Sequence, residues 1–257
     1  MLKEIIISFR AFFHAHQVIC KHRLWKWIII PGIFYSILAI VGFVFFWKSS
    51  NHATAWLLSK AGIKPWLDQL QDGWISFLFI TGQIFLQLLL ILIYFSYIKY
   101  IFLIIAAPIF SYLSEKTNTI IKENPFFFSK KELFEDSIRG SRVAIKNLFW
   151  QSIYMFALFL ICLIPIVGWL APLLFFFMEC YYVGFSMIDY CHQRNNVNMS
   201  KSRYIIGHHK GLAIGNGICF YLLHLIPVLG WILAPSYAII ASSLSIHEAE
   251  KDNIIIN

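Results

Sequence analysis

Three basic side chains, His22, Arg23 and Lys26, stand directly before the first long apolar run of the chain. Clustered N–H donors of this kind bind oxyanions when they lie in a partly dry place, because charge-assisted hydrogen bonds are strong there. Basic residues beside a membrane helix also hold lipid headgroups and fix the direction of insertion. The residue types therefore leave two interpretations open, an anion contact and a headgroup contact.

Acidic side chains are sparse in the apolar segments. Glu179, in the stretch FFFMECYYVGF, is the sole acid within the apolar blocks 152–188 and 212–247. A buried acid in a membrane is costly and marks a functional or structural site. Glu179 could carry protons, or it could form a structural ion pair with a basic group such as Lys99.

No arrangement of residues predicts catalysis. The pairs His208-His209 and Cys191-His192 lack a third ligand at a useful spacing, so we expect no metal site. Nucleophile-elbow, Walker and Rossmann glycine patterns are absent from the sequence. The five cysteines share no short spacing that predicts a disulfide. We therefore expect neither an enzyme nor a cofactor.

The composition predicts an integral membrane protein. Hydrophobic residues make up 59% of the 257 residues and charged residues only 13%, which is too apolar for a soluble domain. The net charge of +8 does not indicate nucleic-acid binding, because the basic residues cluster beside apolar runs, as in cytoplasmic loops of membrane proteins. The lipid bilayer is the expected partner, and no nucleic acid is expected.

The apolar pattern predicts the elements that position these residues. Residues 5–20 predict an amphipathic helix on the membrane surface, with Ser8 on its polar face. Residues 28–47 and about 74–110 predict two long transmembrane helices, the second of which either tilts or bends near Ala107-Pro108. Residues 114–149 predict a cytoplasmic helical segment. The positive-inside rule then places both chain termini in the cytoplasm.

Two later blocks, about 150–189 and 211–247, repeat one pattern of helix breakers. LIPIVGWLAPLL and LIPVLGWILAPSY both read Pro-x-x-Gly-Trp followed by Ala-Pro. Each block predicts a helical hairpin with the breakers at its tip: Pro165, Gly168, Trp169, Pro172, Pro227, Gly230, Trp231 and Pro235. The arms before the tips are only about 20–23 Å long, so we expect re-entrant hairpins that end inside the membrane. Ordinary helix pairs with outer loops are the alternative.

These motifs together resemble the CysZ sulfate-permease family, within the superfamily that includes the etoposide-induced membrane proteins. The resemblance covers about residues 8–247. It is carried by HRLWKWIIIP, AAPIFSYLSEK, the two hairpin motifs, and SMIDY with Asp189 and Tyr190. It implies one all-α membrane domain with an amphipathic amino-terminal helix, two long transmembrane helices and two hemi-penetrating hairpins. It also implies dimers or larger homo-oligomers, and sulfate uptake across the bacterial inner membrane for cysteine synthesis.

The resemblance also implies a substrate site. Family members contact sulfate at a Gly-Leu-Arg-Arg segment before the first long helix, which corresponds here to residues 23–26. Arg23 stands at the glycine position, Trp25 at the first arginine position, and Lys26 keeps the charge. Glu115 matches a family acid near the end of the second helix, where a salt bridge between helices is the alternative to a coupling role.

The sequence therefore predicts a permease or channel-like transporter for sulfate or a similar oxyanion, which supplies sulfur assimilation. Arg23, Lys26 and His22 are its expected substrate-binding residues. A membrane scaffold of the same fold, which binds lipids or proteins and transports nothing, is the alternative. The altered Gly-Leu-Arg-Arg segment favours that alternative. No ATP-binding motif is present, so transport would be passive, ion-coupled or driven by a separate partner.

Overall fold

The computed structural model describes residues 1–60, 94, 96–123, 130–162 and 170–254. All regular secondary structure in these residues is helical. The helices are α1 (Leu2–Lys21), α2 (Trp25–Lys60), α3 (Ser96–Ile105), α4 (Ala107–Lys122), α5 (Lys130–Cys162), α6 (Ala171–Arg194), α7 (Met199–His208), α8 (Lys210–His224) and α9 (Leu229–Lys251). The all-α prediction is therefore confirmed for the described part of the chain.

The chain divides into two compact units. The first contains Met1–Ser36 and Tyr100–Asn257, and the second contains Ile37–Lys99. Helices α2 and α3 contribute residues to both units. Within the second unit, the Tyr94 hydroxyl donates a hydrogen bond to the Ala39 carbonyl oxygen at 3.2 Å. The first unit contains both predicted hairpins and the basic turn, the name used here for the turn at residues 22–24 with the adjoining Lys26.

Helix α2 contains the first predicted membrane helix and extends beyond it. Its stretch Trp25–Ser49 is long and apolar enough to cross a membrane. The helix then continues to Lys60, where the sequence predicts a polar loop from residue 48. The first glycine or proline after residue 47 is Gly62, so no helix breaker ends α2 earlier.

The second predicted membrane helix is described only in its last part, because residues 74–93 and 95 lie outside the described residues. Within the described part, helices α3 and α4 meet at a bend of 71° between Ile105 and Ala107. Pro108 falls in the first two positions of α4, where a missing N–H removes no helical hydrogen bond. The structure thus shows the predicted bend near Ala107-Pro108 rather than a straight tilted helix.

Helix α5 joins two segments that the charge pattern separates near residue 149. It runs without a break for 33 residues, from Lys130 to Cys162. The segment contains no proline, and its one glycine, Gly140, packs closely against the Tyr190 ring. The carboxyl half of the predicted cytoplasmic segment and the first arm of the first hairpin are therefore one helix.

The first hairpin is an antiparallel pair of α5 and α6. Asn147 Nδ2 of α5 donates to Ser186 Oγ of α6 at 2.9 Å, and the rings of Tyr154 and Tyr182 lie 6.4 Å apart. Three predicted tip residues lie outside the described residues: Pro165, Gly168 and Trp169. Pro172 falls in the first two positions of α6, where proline is well tolerated.

The second hairpin is an antiparallel pair of α8 and α9. Asn216 Nδ2 of α8 donates to Ser245 Oγ of α9 at 3.1 Å, and His224 stacks on Trp231 near the tip at 5.9 Å. Helix α8 has 15 residues and is about 22 Å long. Among the described residues, α2, α6 and α9 each contain a stretch long and apolar enough to cross a membrane.

Helix α1 packs against α8 and α9 through a face that combines two isoleucines with small and polar side chains. Ser8 lies on this buried face, and its hydroxyl donates to the Leu212 carbonyl oxygen at 3.1 Å. The prediction that Ser8 lies on an outward polar face is therefore wrong, because small side chains let the helix backbones approach closely. An exposed apolar stripe suited to a membrane surface lies elsewhere on the helix: Leu2, Ile6 and Phe13.

Candidate functional site

The predicted anion-contact residues lie around a three-residue turn between α1 and α2. The Leu24 N–H donates to the Ile19 carbonyl oxygen at 3.1 Å, and the His22 N–H donates to the Val18 carbonyl oxygen at 3.0 Å. Arg23 lies between these donors with a φ of 51°, in the left-handed region. This arrangement is a Schellman-type helix end, in which glycine is the usual left-handed residue.

The turn gives a physical reason for the glycine of the Gly-Leu-Arg-Arg pattern. The family resemblance puts Arg23 at that position, and Arg23 adopts the left-handed conformation at a cost of about 1–2 kcal/mol. Leu24 is fully buried and anchors the turn beneath the charges. His22, Arg23 and Lys26 are all exposed, so the polar ends of their side chains are accessible to a ligand.

The start of α2 adds further groups that favour an anion. The first N–H groups of a helix have no acceptor within the helix, and the helix dipole is positive there. Trp27 packs on Tyr112 of α4 at 4.2 Å, and Lys116 Nζ lies 5.9 Å from the centre of the Tyr112 ring. Lys116 ends the AAPIFSYLSEK stretch, but its position depends on the bend at Ala106 and was not predicted.

Glu179 is buried in α6 and accepts hydrogen bonds from two other helices. Tyr221 Oη of α8 donates to Glu179 Oε2 at 2.6 Å, and Gln151 Nε2 of α5 donates to Glu179 Oε1. Gln151 Oε1 accepts in turn from Tyr100 Oη of α3. Two donors thus reach the carboxylate directly, and Tyr100 is connected to it through the Gln151 amide, so the network joins four helices.

The two other predicted coupling residues are Lys99 and Glu115. Lys99 is 4% exposed and belongs to the second unit, so its pairing with Glu179 stays a prediction. Glu115 is half-buried on α4, and its coupling role also stays a prediction. Sequence reasoning missed Gln151 and Tyr221, because neither residue type is unusual within an apolar helix.

Asp189 of the SMIDY motif joins α5, α6 and α7 through hydrogen bonds. Arg139 of α5 donates to both Asp189 carboxylate oxygens, at 3.1 and 3.3 Å, and to the Val197 carbonyl oxygen at 2.6 Å. The Ser202 hydroxyl donates to Asp189 Oδ1 at 2.6 Å, and His192 Nδ1 lies 3.0 Å from Ser202 Oγ. The motif therefore stabilises the fold and lies apart from the basic turn in sequence.

Glu4 caps the amino terminus of α8. The Gly211 N–H donates to Glu4 Oε2 at 2.9 Å, and His209 Nδ1 lies 3.1 Å from Glu4 Oε1. His209 thus pairs with a carboxylate. Within the described residues, no three His, Cys, Asp or Glu side chains are placed to hold a metal ion.

The second hairpin reverses through a tight γ-turn. The Leu229 N–H donates to the Pro227 carbonyl oxygen at 2.7 Å. Val228 lies between them with φ 62° and ψ −62°, a conformation that is rare and strained for a β-branched residue. The tip of this hairpin therefore stores strain at Val228.

The remaining breakers of the second hairpin have separate roles. A Cβ on Gly230 would overlap the Leu223 carbonyl oxygen, so only glycine fits where α9 begins against α8. The Trp231 ring stacks on His224 of α8. Pro235 is buried inside α9 rather than in the turn, so the tip is shorter than the sequence predicts.

Comparison with known proteins finds relatives along most of the chain. A family described as "Sulfate transporter CysZ/Etoposide-induced protein 2.4" matches residues 11–235. A protein named "Sulfate transporter CysZ" from Pseudomonas fluorescens is 24% identical over 196 residues, which cover 74% of this chain and 78% of the relative. A protein of the same name from Pseudomonas syringae pv. tomato is 26% identical over 187 residues, which cover 71% and 73%. The matched range includes the basic turn and both hairpin tips.

Proposed function

This chain belongs to the sulfate transporter CysZ/etoposide-induced protein 2.4 family, and from that premise we propose that it moves sulfate or a similar oxyanion across a membrane. The family is one of membrane transporters, so the chain is a membrane protein and not an enzyme. The observation that carries the proposal is the exposed basic turn at the start of α2, in which Arg23 is left-handed and stands where the family resemblance implies a glycine.

The turn offers an oxyanion two kinds of donor. Arg23 and Lys26 supply charge-assisted hydrogen bonds, and the first N–H groups of α2 supply fixed dipoles. His22 extends the set on one side, and Lys116 adds a positive charge beyond the Tyr112 ring. An oxyanion has several acceptor atoms, so donors from both a turn and a helix start suit it.

The second hairpin supports a re-entrant arrangement in this proposal. The Leu225, Ile226 and Gly230 N–H groups all donate to backbone carbonyl oxygens of the hairpin, and Pro227 has no N–H. These hydrogen bonds lower the cost of placing the tip in hydrocarbon, where water cannot satisfy backbone groups. The large tip side chains are all exposed and apolar: Leu225, Ile226, Val228 and Leu229. With a first arm of about 22 Å, the tip would end inside the ~30 Å core.

The cellular arrangement is part of the proposal. We place the protein in the bacterial inner membrane, with both termini in the cytoplasm, because the basic segments flank the apolar ones as the positive-inside rule requires. Apolar side chains on α2 and α5 are exposed and offer surface for lipid and for a second copy of the chain. We therefore propose a homo-oligomer, as the family resemblance implies.

Sulfate uptake into proteoliposomes tests the proposed function. We expect wild-type protein to accumulate radiolabelled sulfate, and the Arg23→Ala, Lys26→Ala double variant to lose about tenfold or more of that rate, because two charge-assisted donors are removed. Chloride uptake measured in parallel reports selectivity.

The matched control for this test removes two exposed cations from α7, as Lys201→Ala with Arg203→Ala. Its net charge equals that of the test variant, and we expect it to transport like wild type. Equal loss in both double variants would show a general charge effect. Absence of uptake by folded wild-type protein would contradict the proposal and favour a scaffold that transports nothing.

Strain at the hairpin tip gives a stability prediction. Val228→Gly is expected to raise the thermal unfolding midpoint in detergent by a few degrees, because it removes about 1–2 kcal/mol of backbone strain. The valine side chain is exposed, so its removal costs little packing. Val41 is a matched exposed valine inside α2, and Val41→Gly should destabilise, since glycine weakens a helix interior. Similar losses in both variants would argue against the strained turn.

A further inference from the structure

One thiol of α1 has an imidazole within reach. Cys20 is exposed, whereas Cys180, Cys191 and Cys219 are buried. His16 Nε2 lies 3.7 Å from Cys20 Sγ, because residues four apart share a helix face. The exposed thiol and the imidazole therefore form a possible nucleophile and base.

Helix α9 holds the imidazole in place. His16 Nδ1 lies 2.8 Å from Tyr237 Oη, and the two rings stack with centroids 6.2 Å apart. The Trp25 ring meets the imidazole edge-on at 6.3 Å, and Tyr237 itself is buried. A nucleophile, a base and a group that orients the base are the parts of an activated nucleophilic site.

The tautomer of the imidazole decides whether it acts as the base. When His16 Nδ1–H donates to Tyr237 Oη, the Nε2 lone pair faces the thiol and takes its proton. When Tyr237 donates to Nδ1 instead, Nε2 carries the hydrogen, and the thiol must lose its proton to solvent. Two exposed cations that follow Cys20 in the chain, Lys21 and Arg23, add positive charge that attracts anions.

We propose that Cys20 is a modification site that exchanges with small anionic disulfides, of which oxidised glutathione is the probe. The Cys20 thiolate attacks one sulfur of the disulfide, a new S–S bond forms, and the other half leaves as a thiolate. Cys20 is oxidised to a mixed disulfide and the leaving half is reduced, while His16 keeps the proton taken from Cys20. The bound group then lies three residues from Arg23 and covers the basic turn. That consequence rests on the proposed function.

The exchange rate at Cys20 tests the site. Purified full-length protein in detergent is incubated with oxidised glutathione, and the mixed disulfide on the Cys20 peptide is quantified by mass spectrometry. We expect the rate to fall about tenfold in His16→Ala, which removes the base, and several-fold in Tyr237→Phe, which removes the hydrogen bond that orients it. His14→Ala removes another exposed imidazole of α1 and should leave the rate unchanged.

Two results would overturn the modification site. One is an equal Cys20 rate in wild type, His16→Ala and Tyr237→Phe, with folding verified by circular dichroism. The other is a wild-type rate no faster than that of an unstructured peptide carrying the same cysteine. Tyr237→Phe keeps the buried ring, so it provides a folded variant if His16→Ala is unstable.

The consequence for transport has its own readout. We expect glutathionylated wild-type protein to lose most sulfate uptake, dithiothreitol to restore it, and Cys20→Ser to be insensitive to both treatments. Unchanged uptake at full modification would overturn the blocking role. Absence of uptake before modification would overturn the proposed function instead, while the exchange rates still decide whether Cys20 is the reactive site.

Discussion

Alanine at Gly184 or Gly217 is expected to lower the free energy of unfolding by about 3 kcal/mol, the upper part of the range for overpacked sites. A Cβ on Gly184 of α6 would overlap the Ala213 carbonyl oxygen of α8. A Cβ on Gly217 of α8 would overlap the Cys180 carbonyl oxygen of α6. These neighbours are backbone atoms that cannot rotate away, so the two helices would have to separate. Thermal unfolding of the detergent-solubilised protein measures the loss.

Gly207 provides the matched control for this prediction. It lies inside α7, and an added Cβ would meet nothing within 4 Å. Gly207→Ala should therefore raise stability by about 0.5–1 kcal/mol, as alanine does inside a helix. A Gly184→Ala or Gly217→Ala variant as stable as Gly207→Ala would contradict the close approach of α6 and α8.

Removal of the Glu179 carboxylate is expected to have an effect of similar size. In Glu179→Ala, the Gln151 amide and the Tyr221 hydroxyl lose their shared acceptor inside the protein. Loss of the carboxylate acceptor costs about 1–3 kcal/mol for each of these buried donors. We therefore expect a loss of about 2–5 kcal/mol, measured as the unfolding midpoint together with the yield of monodisperse protein.

Glu179→Gln separates a structural role from a coupling role. The amide keeps an acceptor oxygen for one of the two donors, so we expect roughly half of the stability loss of Glu179→Ala. If the role is structural, the folded glutamine variant transports sulfate at nearly the wild-type rate. A folded variant that has lost uptake would instead assign Glu179 to coupling. Glu135→Ala, an exposed acid of α5, controls for the change in net charge.

Features that depend on local sequence were predictable. The uncharged run after Lys26 predicts the stretch of α2 that is long and apolar enough to cross a membrane, and Pro108 predicts the bend between α3 and α4. Prolines and glycines also predict where the second hairpin reverses. These signals are local because a helix breaker acts within one or two turns of its own position.

Features that depend on distant contacts were not predictable. Glu4 and Ser8 are buried because they meet residues of α8 more than 200 positions later in the chain. Polar residues on a helix give the same periodic pattern whether they face water or a polar partner. The left-handed conformation of Arg23 was also hidden, because arginine carries no signal for positive φ.

The Glu179 network sets an order for the assembly of the protein during synthesis. Its members emerge from the ribosome as Tyr100, Gln151, Glu179 and finally Tyr221, across 121 residues of chain. Until Tyr221 arrives, the carboxylate lacks one of its donors, and an unsatisfied polar group in the bilayer is costly. We expect nascent chains that end before α8 to stay bound to the insertion machinery or to a membrane chaperone. The last hairpin would then act as the signal that releases a completed subunit.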